Sequence, residues 1–377
     1  MKFGQLTCAL VVLTAGCAST SAATNTTTPS STTLVAAPHI TFAFTGDVLS
    51  HTPIIDQAKR TAIANSTTEM QLDYDFRPMF ADVKPLISSV DVAICHLETP
   101  IAPDGEELST FPFFGVPKEI TTAIADAGFD RCSTASNHTY DRGNNGIDAT
   151  VNALLAAGVK ESGMARTPEE IEPNIFVVNG IKLCHLSYTF SYNGLVMPTE
   201  TQWRSALINP DRILRDAKRA RELGSQATIV SMHWGTEKDS NLNSMQTTIA
   251  KELTASGLVD LIVGHHAHVV QPTEQVNGVW VMYGLGNVLS NLPTDDRWPI
   301  NSQDAVIATT SLTLSPTGKA IFNKPVMHPT WVDKGHGWII RNVQKSLKSS
   351  TNSYGLAREL ELSLGRTTRV LGDYITK

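Results

Sequence analysis

The sequence predicts an α/β fold built on two mixed β-sheets, and three observations lead to this prediction. From His39 onward, short apolar runs typical of β-strands alternate with segments of helical periodicity. Of the 377 residues, 41% are hydrophobic, which is enough for a substantial core. Histidine, carboxylate and asparagine side chains gather directly after the apolar runs, which is where α/β folds form their sites.

The predicted strands and helices alternate along most of the folded part. Strands are predicted over residues 40–45, 91–97, 130–135, 175–179, 182–189, 227–233, 259–263, 279–283 and 305–314. Helices are predicted near residues 78–88, 117–127, 145–157, 211–223 and 243–256, with one last exposed helix at 353–363. Strands separated by helices pair in parallel. Because the later strands have fewer helices between them, we expect them to form a second, more antiparallel sheet.

The charge balance and the cysteine count exclude several classes of protein. The chain has 36 acidic and 30 basic residues, a net charge of −6, and no run of Lys or Arg. A nucleic-acid partner is therefore not expected, since its phosphates would require a basic surface. Five cysteines in 377 residues are too few for a scaffold built on disulfides.

The N-terminus has the features of an export signal. Lys2 precedes an apolar stretch over residues 6–15, which is too short to span a bilayer but typical of a signal peptide. The stretch ends in Leu-Thr-Ala-Gly-Cys, which resembles the lipobox of bacterial lipoproteins. That resemblance implies cleavage before Cys17 and lipidation of its thiol. The alternative is an ordinary secretory signal in which Cys17 has no role.

Four segments follow from these features. Residues 1–16 are expected to be a lipoprotein signal peptide, residues 17–37 a flexible Ser/Thr-rich tether, residues 38–340 the folded domain and residues 341–377 a C-terminal extension with a helix. We therefore expect the protein to be exported and held at the outer face of the bacterial cell membrane by its lipid anchor.

Three cysteines remain in the folded part. Cys95, Cys132 and Cys184 each lie in an apolar, strand-like run, where a small buried thiol is the commonest role. A disulfide between Cys95 and Cys132 is the alternative in an exported protein, but an odd number of cysteines supports no disulfide framework.

Five strand ends carry residues that bind metals or transfer protons. In chain order, the groups are Asp47; His96 and Glu98; Asn137, His138 and Asp141; His233 with Glu237; and His265, His266 and His268. Neutral imidazole is the commonest transition-metal ligand, and a carboxylate can orient an imidazole. Taken singly, each group also fits a structural role such as a turn-forming acid or a surface histidine cluster.

Taken together and in this order, the groups resemble the calcineurin-like metallophosphoesterase superfamily, and more closely its CapA-like branch, the poly-γ-glutamate capsule-synthesis family. The signatures are GDV at 46–48, HLETP at 96–100, ASNHTYDRG at 135–143, HWGTE at 233–237, GHHAH at 264–268 and YGLGN at 283–287. The resemblance covers about residues 38–335 and implies an αββα sandwich, in which two mixed sheets are flanked by helices.

The resemblance also implies the roles of the site residues. Asp47 and His268 would hold a first metal, Asn137, His233 and His266 a second, and Glu98 would bridge the two. His138 would be the general acid or would stabilise the transition state, with Asp141 orienting it. His96, Glu237 and Asn287 would lie in an outer shell or contact substrate. The superfamily usually has a histidine where this chain has Leu49, so one metal ligand is missing.

The implied cofactor is one or two divalent cations, and the donor types suit Mn, Fe or Zn. The implied function is a surface-anchored hydrolase that uses a metal-activated water on a phosphoester, or a carboxylic ester or amide, of a cell-envelope polymer or glycolipid. The alternative is a non-catalytic component of capsule polymer synthesis, export or anchoring.

Overall fold

Two mixed β-sheets lie face to face between layers of helices in the computed structural model of the protein. The structure describes Gly16, residues 39–67 and residues 72–376. The predicted lipidation site Cys17 and the tether lie outside the described residues, as does the signal peptide apart from Gly16. The chain divides into Met1–Ala36 and Ala37–Lys377, and all the elements given below belong to the second unit.

The strands follow the predicted alternation closely in the first two thirds of the chain. They are β1 (His39–Val48), β2 (Val92–Leu97), β3 (Arg131–Ser133), β4 (Lys160–Ser162), β5 (Ile175–Val178), β6 (Ile181–Thr189), β7 (Ala227–His233), β8 (Leu261–His265), β9 (Thr273–Val276), β10 (Val279–Met282), β11 (Asn287–Leu289), β12 (Asp304–Leu314), β13 (Ala320–Phe322), β14 (Val326–Asp333) and β15 (Ile339–Asn342).

The helices cover the outer faces of both sheets. They are α1 (Thr52–Asn65), α2 (Arg77–Phe80), α3 (Lys84–Ile87), α4 (Glu119–Ala127), α5 (Gly143–Ala156), α6 (Pro210–Glu222), α7 (Ser244–Ala255), α8 (Val343–Leu347) and α9 (Tyr354–Leu371). Instead of one helix at 78–88 there are two short ones, because Pro85 has no N–H to donate and its ring clashes with the carbonyl four residues before it.

The first sheet has the strand order β15-β14-β12-β1-β2-β3-β4, with β11 beside β1 and β13 beside β12. Strands β1 to β4 are parallel, whereas β12, β14 and β15 are antiparallel to their neighbours. The expectation that the later strands form a separate antiparallel sheet was therefore wrong. They extend the first sheet. Strand β1 lies in the middle of this sheet with β2 on one side, and β12 forms the backbone hydrogen bonds on its other side.

The second sheet has the order β5-β6-β7-β8-β10-β9. Its four central strands are parallel, and only the edge strands β5 and β9 are antiparallel. Apolar side chains of both sheets, such as Phe42, Phe44, Ile229 and Leu261, form the core between them. Separate apolar layers lie under the helices on each outer face. The predicted arrangement of two mixed sheets flanked by helices is thus confirmed.

The C-terminal helix is longer and less exposed than predicted. Helix α9 runs to Leu371, and its Leu360 is buried with Trp331 and Val343. Arg366 binds both carboxylate oxygens of the buried Asp304, at 2.5 and 2.7 Å. The helix therefore packs on the first sheet. Among the described residues, no helix is long and apolar enough to span a membrane.

Cys95 and Cys132 form a disulfide, so their interpretation as free thiols was wrong. The two residues lie directly opposite each other in the parallel strands β2 and β3. That register depends on tertiary pairing, which the cysteine count could not show. Cys184 is a buried free thiol, as predicted.

Candidate metal centre

The carboxyl ends of strands from both sheets bring the predicted site residues together. Asp47 on β1 lies opposite His96 on β2, and His233 on β7 lies opposite His265 on β8. All four side chains are buried. The polar ends of otherwise apolar strands therefore meet at one edge of the sandwich, which is the usual position of a site in an α/β fold.

Two glycines allow the backbones at this edge to approach closely. A Cβ atom on Gly46 would lie 1.9 Å from the carbonyl oxygen of Gly286, and one on Gly264 would lie 1.9 Å from that of Tyr283. The backbone N–H of Asp47 donates to the same Gly286 carbonyl at 2.9 Å. The glycine before each of these two motifs thus has a packing role that fixes where the candidate ligands after it lie.

The loop after β8 holds two histidines in a strained conformation. His266 and His268 have φ angles of 88° and 57°, which lie in the left-handed region. Non-glycine residues in such conformations cost roughly 1–3 kcal/mol each and concentrate at functional sites. The backbone N–H of His266 donates to Asp47 Oδ2 at 3.2 Å, which fastens this loop to β1.

Asp47, Glu98 and His268 form a buried group whose ligand atoms all lie within 4.8 Å of one another. His268 Nδ1 is 3.3 Å from Asp47 Oδ2, and His268 Nε2 is 3.6 Å from Glu98 Oε1. Asn287 lies behind this histidine, with its Oδ1 2.8 Å from His268 Nδ1. The structure thus brings together the three residues expected at the first metal, with Asn287 directly behind them.

The residues expected at the second metal meet on the other side of Glu98. His233 Nε2 is 2.8 Å from Asn137 Oδ1 and 4.0 Å from Glu98 Oε1. The rings of His233 and His266 have centroids 4.7 Å apart. Oxygen Oε1 of Glu98 therefore lies between the two histidine groups, which is the position that a bridging carboxylate requires.

His96 supports this second group from behind. Its Nε2 is 2.9 Å from His233 Nδ1, and its Nδ1 is 2.8 Å from Ser133 Oγ. Both ring nitrogens are hydrogen-bonded, so His96 can fix the orientation and tautomer of His233, as outer-shell partners of metal ligands commonly do.

His265 belongs to the centre, although the sequence assigned it no role. Its ring stacks on His96 with centroids 4.0 Å apart, and its Nδ1 is 3.5 Å from Asp47 Oδ1. Asp47, His96 and His265 form another group with ligand atoms within 4.8 Å. The signal was present in the GHHAH motif, but the expected ligands accounted for only two of its three histidines.

Burial and mutual charge set the protonation of the cluster. Burial raises the pKa of Asp47, but the neighbouring imidazoles of His265 and His268 outweigh this effect and bring the pKa well below its usual value. Burial lowers the pKa of His268, but the charges of Glu98 and Asp47 raise it to about 10. Burial raises the pKa of Glu98 well above its usual value.

The other imidazoles are held neutral. Burial, reinforced by neighbouring histidines, lowers the pKa of His266 to about 3 and the pKa values of His96 and His233 well below the usual range. Neutral imidazole is the form that binds metal ions. His51 belongs to none of the metal-binding groups found in the described part of the chain, and burial lowers its pKa to about 4.

His138 and Asp141 form a separate pair beside the metal-binding residues. His138 Nδ1 donates to Asp141 Oδ2 at 2.6 Å, and the same oxygen accepts the backbone N–H of Phe114 at 2.7 Å. The Phe114 ring meets the imidazole edge-on at 4.7 Å. These contacts orient the ring through Nδ1 and leave Nε2 without a hydrogen-bond partner among the described residues.

Asn193, which the sequence did not single out, connects this pair to the metal-binding residues. Its Oδ1 accepts a hydrogen bond from Asn137 Nδ2 at 3.1 Å, and its own Nδ2 is 3.5 Å from His138 Nδ1. Asn193 follows the end of β6, so the strand-end pattern could have indicated it. Glu237 is exposed at the edge of the cluster, near His266 and His268.

The donor set fits a divalent cation. Both carboxylate oxygens of Glu98, Oδ1 of Asp47 and Nδ1 of His266 are buried and have no hydrogen-bond partner among the described residues. An unpaired buried carboxylate is costly, and a bound cation would offset that cost. Imidazole, carboxylate and amide donors without a thiolate suit Mn, Fe or Zn.

Fold and site together define a two-sheet α/β protein with a candidate metal centre at the carboxyl ends of its strands. The family model described as bacterial capsule synthesis protein PGA_cap matches residues 41–292, and the chain belongs to this family. The family predicted from the sequence is therefore confirmed.

Two relatives illustrate the range of similarity. The capsule biosynthesis protein CapA of Bacillus anthracis is 26% identical over 243 residues, which cover 62% of this chain and 57% of that protein. The PGA biosynthesis protein CapA of Bacillus subtilis (strain 168) is 24% identical over 289 residues, covering 73% of this chain and 71% of that protein. The chain thus spans little more than half the length of the first relative.

Solved structures show more distant likeness. The Haemophilus influenzae NAD nucleotidase NadN has a TM-score of 0.47 at 13% identity, covering 90% of this chain and 64% of that chain. The calcineurin-like phosphoesterase YfkN of Bacillus subtilis has a TM-score of 0.46 at 12% identity, covering 87% and 99%. Likeness at this level carries no information about activity or substrate.

Proposed function

We propose that the protein is a surface-anchored, metal-dependent hydrolase acting on a phosphoester, or on a carboxylic ester or amide, of a cell-envelope or capsule component. The observation that carries the proposal is the position of Glu98. Its buried carboxylate lies between His268 and His233 without a hydrogen-bond partner in the described part of the chain. A structural role gives no reason to bury a carboxylate in this way, whereas a metal centre does.

In this proposal each residue has a defined task. Asp47, Glu98 and His268 hold one divalent cation, and Asn137, His233 and His266 hold another. When bound, such cations act as Lewis acids on the scissile group and lower the pKa of water. In its imidazolium form, His138 gives the Nε2 proton to the leaving oxygen or nitrogen, and Asp141, which accepts a hydrogen bond from Nδ1–H, leaves the neutral ring with its remaining proton on Nδ1.

The test separates metal binding from proton transfer. His138→Ala should keep the bound metal but lower hydrolysis by roughly 10²- to 10⁴-fold, because it removes an acid–base group and no ligand. His266→Ala should lose both metal and hydrolysis. The measurements are elemental analysis of the purified protein and rates on bis-p-nitrophenyl phosphate, with p-nitrophenyl acetate as the carboxylic-ester comparison.

The chain provides a matched control for His138. His336 also pairs with an aspartate three residues away, at 2.8 Å from Asp333, but its side chain is 60% exposed and lies outside the cluster. His336→Ala should leave both metal content and rate unchanged. Equal loss of activity in both alanine variants would contradict a specific role for His138.

The non-catalytic alternative can be tested in the cell envelope. If the protein is a structural or export component of capsule assembly, His138→Ala should restore the surface phenotype that a deletion removes. If it is a hydrolase, His138→Ala should match the deletion while remaining folded and metal-loaded.

A further inference from the structure

We propose that Glu237 is a metal ligand that holds a divalent cation together with His266 and His268 at the solvent-facing side of the candidate centre. This inference rests on the proposed function and regroups its ligands, since His266 and His268 share one cation with Glu237 at the open side instead of binding one cation each. It starts from a geometric finding: one carboxylate oxygen of Glu237 and one ring nitrogen of each histidine all lie within 4.8 Å of one another.

The backbone holds Glu237 in this place. The loop that follows β7 is fastened to the loop that follows β8 at two points. The N–H of Trp234 donates to the carbonyl of His265 at 3.2 Å, and the N–H of Lys238 donates to the carbonyl of Ala267 at 2.8 Å. Glu237 lies between these two hydrogen bonds along the chain, so its proximity to the histidines follows from backbone pairing.

The donors are available and of a suitable kind. The Glu237 carboxylate is exposed and forms no hydrogen bond or ion pair with any residue of the described chain. Nδ1 of His266, which is 4% exposed, likewise has no partner there. Two histidines with one carboxylate form a recurrent site for Zn and for Fe(II). Metal–ligand bonds of about 2.0–2.2 Å place two ligand atoms up to about 4.4 Å apart. The three ligand atoms therefore need to move only slightly closer together to bind one ion.

The need for another ligand also follows from this chain. Leu49, directly after the first motif, is buried in the apolar layer beneath α1 and offers no donor atom. Glu237 supplies a carboxylate from an exposed position beside His266 and His268. Because it is exposed, it can close onto an ion that enters from solvent.

The experiment is an Mn²⁺ titration of the full-length protein, in which the electron paramagnetic resonance signal of free Mn²⁺ reports binding. Glu237→Gln should weaken one site by about tenfold or more, since changes even in outer-shell partners of a metal typically cost 10- to 100-fold. Glu252→Gln is the matched control, since it removes the charge of an exposed glutamate on α7. It should bind Mn²⁺ as the wild type does.

Two further variants separate ligation from simple attraction of charge. Glu237→His keeps a donor but loses the charge, and Glu237→Asp keeps the charge on a shorter side chain. Ligation predicts that the His variant binds Mn²⁺ more tightly than the Gln variant. The inference is overturned if Glu237→Gln binds as the wild type does, or if affinity follows charge alone.

The outcome also distinguishes this inference from the proposed function. In EDTA, every variant should unfold at the wild-type temperature, because the Glu237 side chain has no hydrogen bond to lose in the described part of the molecule. If the wild type itself binds no Mn²⁺, both the metal centre and this inference fail. If the wild type binds Mn²⁺ and hydrolyses substrate while Glu237→Gln binds equally well, only this inference fails.

Discussion

At the scale of single residues, close backbone contacts bring the parts of the candidate centre together. Gly46 and Gly264 each lie within the reach of a carbonyl on a neighbouring strand or loop, so neither position has room for a Cβ atom. At Gly46, this contact also carries the hydrogen bond of Asp47 to Gly286. The close packing of Gly46, which has no side chain, therefore fixes the position of the candidate ligand Asp47.

Gly46→Ala should destabilise the protein by at least about 2 kcal/mol, because overpacking against backbone cannot be relieved by a side-chain rotation. Gly365→Ala is the control: it lies inside α9 with nothing within 4 Å of the new Cβ. There the change should stabilise by about 0.5–1 kcal/mol, since glycine is unfavourable within a helix. Urea unfolding of both variants tests this, and equal effects would contradict it.

The residue scale also shows what the sequence could predict about the site. Asp47, Glu98, Asn137, His233, His266 and His268 could all be found because each follows an apolar strand, a local feature. The contacts of His265 with Asp47 and of Asn193 with His138 could not, since they join residues 218 and 55 positions apart. Such pairs depend on which strands become neighbours.

At the scale of elements, the edge strand β4 of the first sheet carries a buried carboxyl group. Glu161 on β4 is intermediate in exposure, but burial of its carboxyl group raises its pKa to about 7, and hydrogen bonds from Thr134 and Met164 only partly oppose the shift.

Strand β4 itself was not predicted, because three residues are too short to show a pattern. Strand β14 was missed because Pro329 interrupts its run, and proline is depleted from strands.

The raised pKa of Glu161 predicts a pH dependence of stability. The folded state holds the proton more tightly than the unfolded state, so the free energy of unfolding should fall as pH rises from about 4.5 to about 7. The shift corresponds to about 3 kcal/mol. Glu161→Gln should lack this component of the fall, whereas the exposed Glu252→Gln should keep it. Urea unfolding at pH 5 and pH 7.5 measures the difference. An identical change in the free energy of unfolding between the two pH values in all three proteins would refute this prediction.

At the scale of the whole molecule, anchoring remains a prediction from the N-terminal sequence. If Cys17 carries a lipid, Cys17→Ala should move the protein from the membrane fraction to the soluble fraction, because the chain loses its acyl anchor. Cys184→Ala, which changes the buried free thiol, should leave the protein in the membrane fraction. Immunoblots of fractionated cells provide the measurement. Unchanged membrane retention of Cys17→Ala would rule out the lipoprotein hypothesis.

The whole-molecule architecture was predictable in kind and only partly in topology. Alternating strands and helices predicted the two-sheet α/β fold, because that alternation is local. The destination of the late strands β12, β14 and β15 was not predictable, since β12 pairs with β1 from more than 250 residues away and β14 and β15 then pair outward from β12. The same long-range pairing brings Asn287 on β11 beside Asp47. The centre therefore depends on the complete sandwich.

Elemental analysis of the purified full-length protein shows whether this sandwich holds a metal centre. We predict at least one Mn, Fe or Zn ion per chain in the wild type, removed by a chelator and lost in His266→Ala, with the His336→Ala control unchanged. A wild-type protein that is folded but binds none of these ions, even after their addition, would rule out the metal centre.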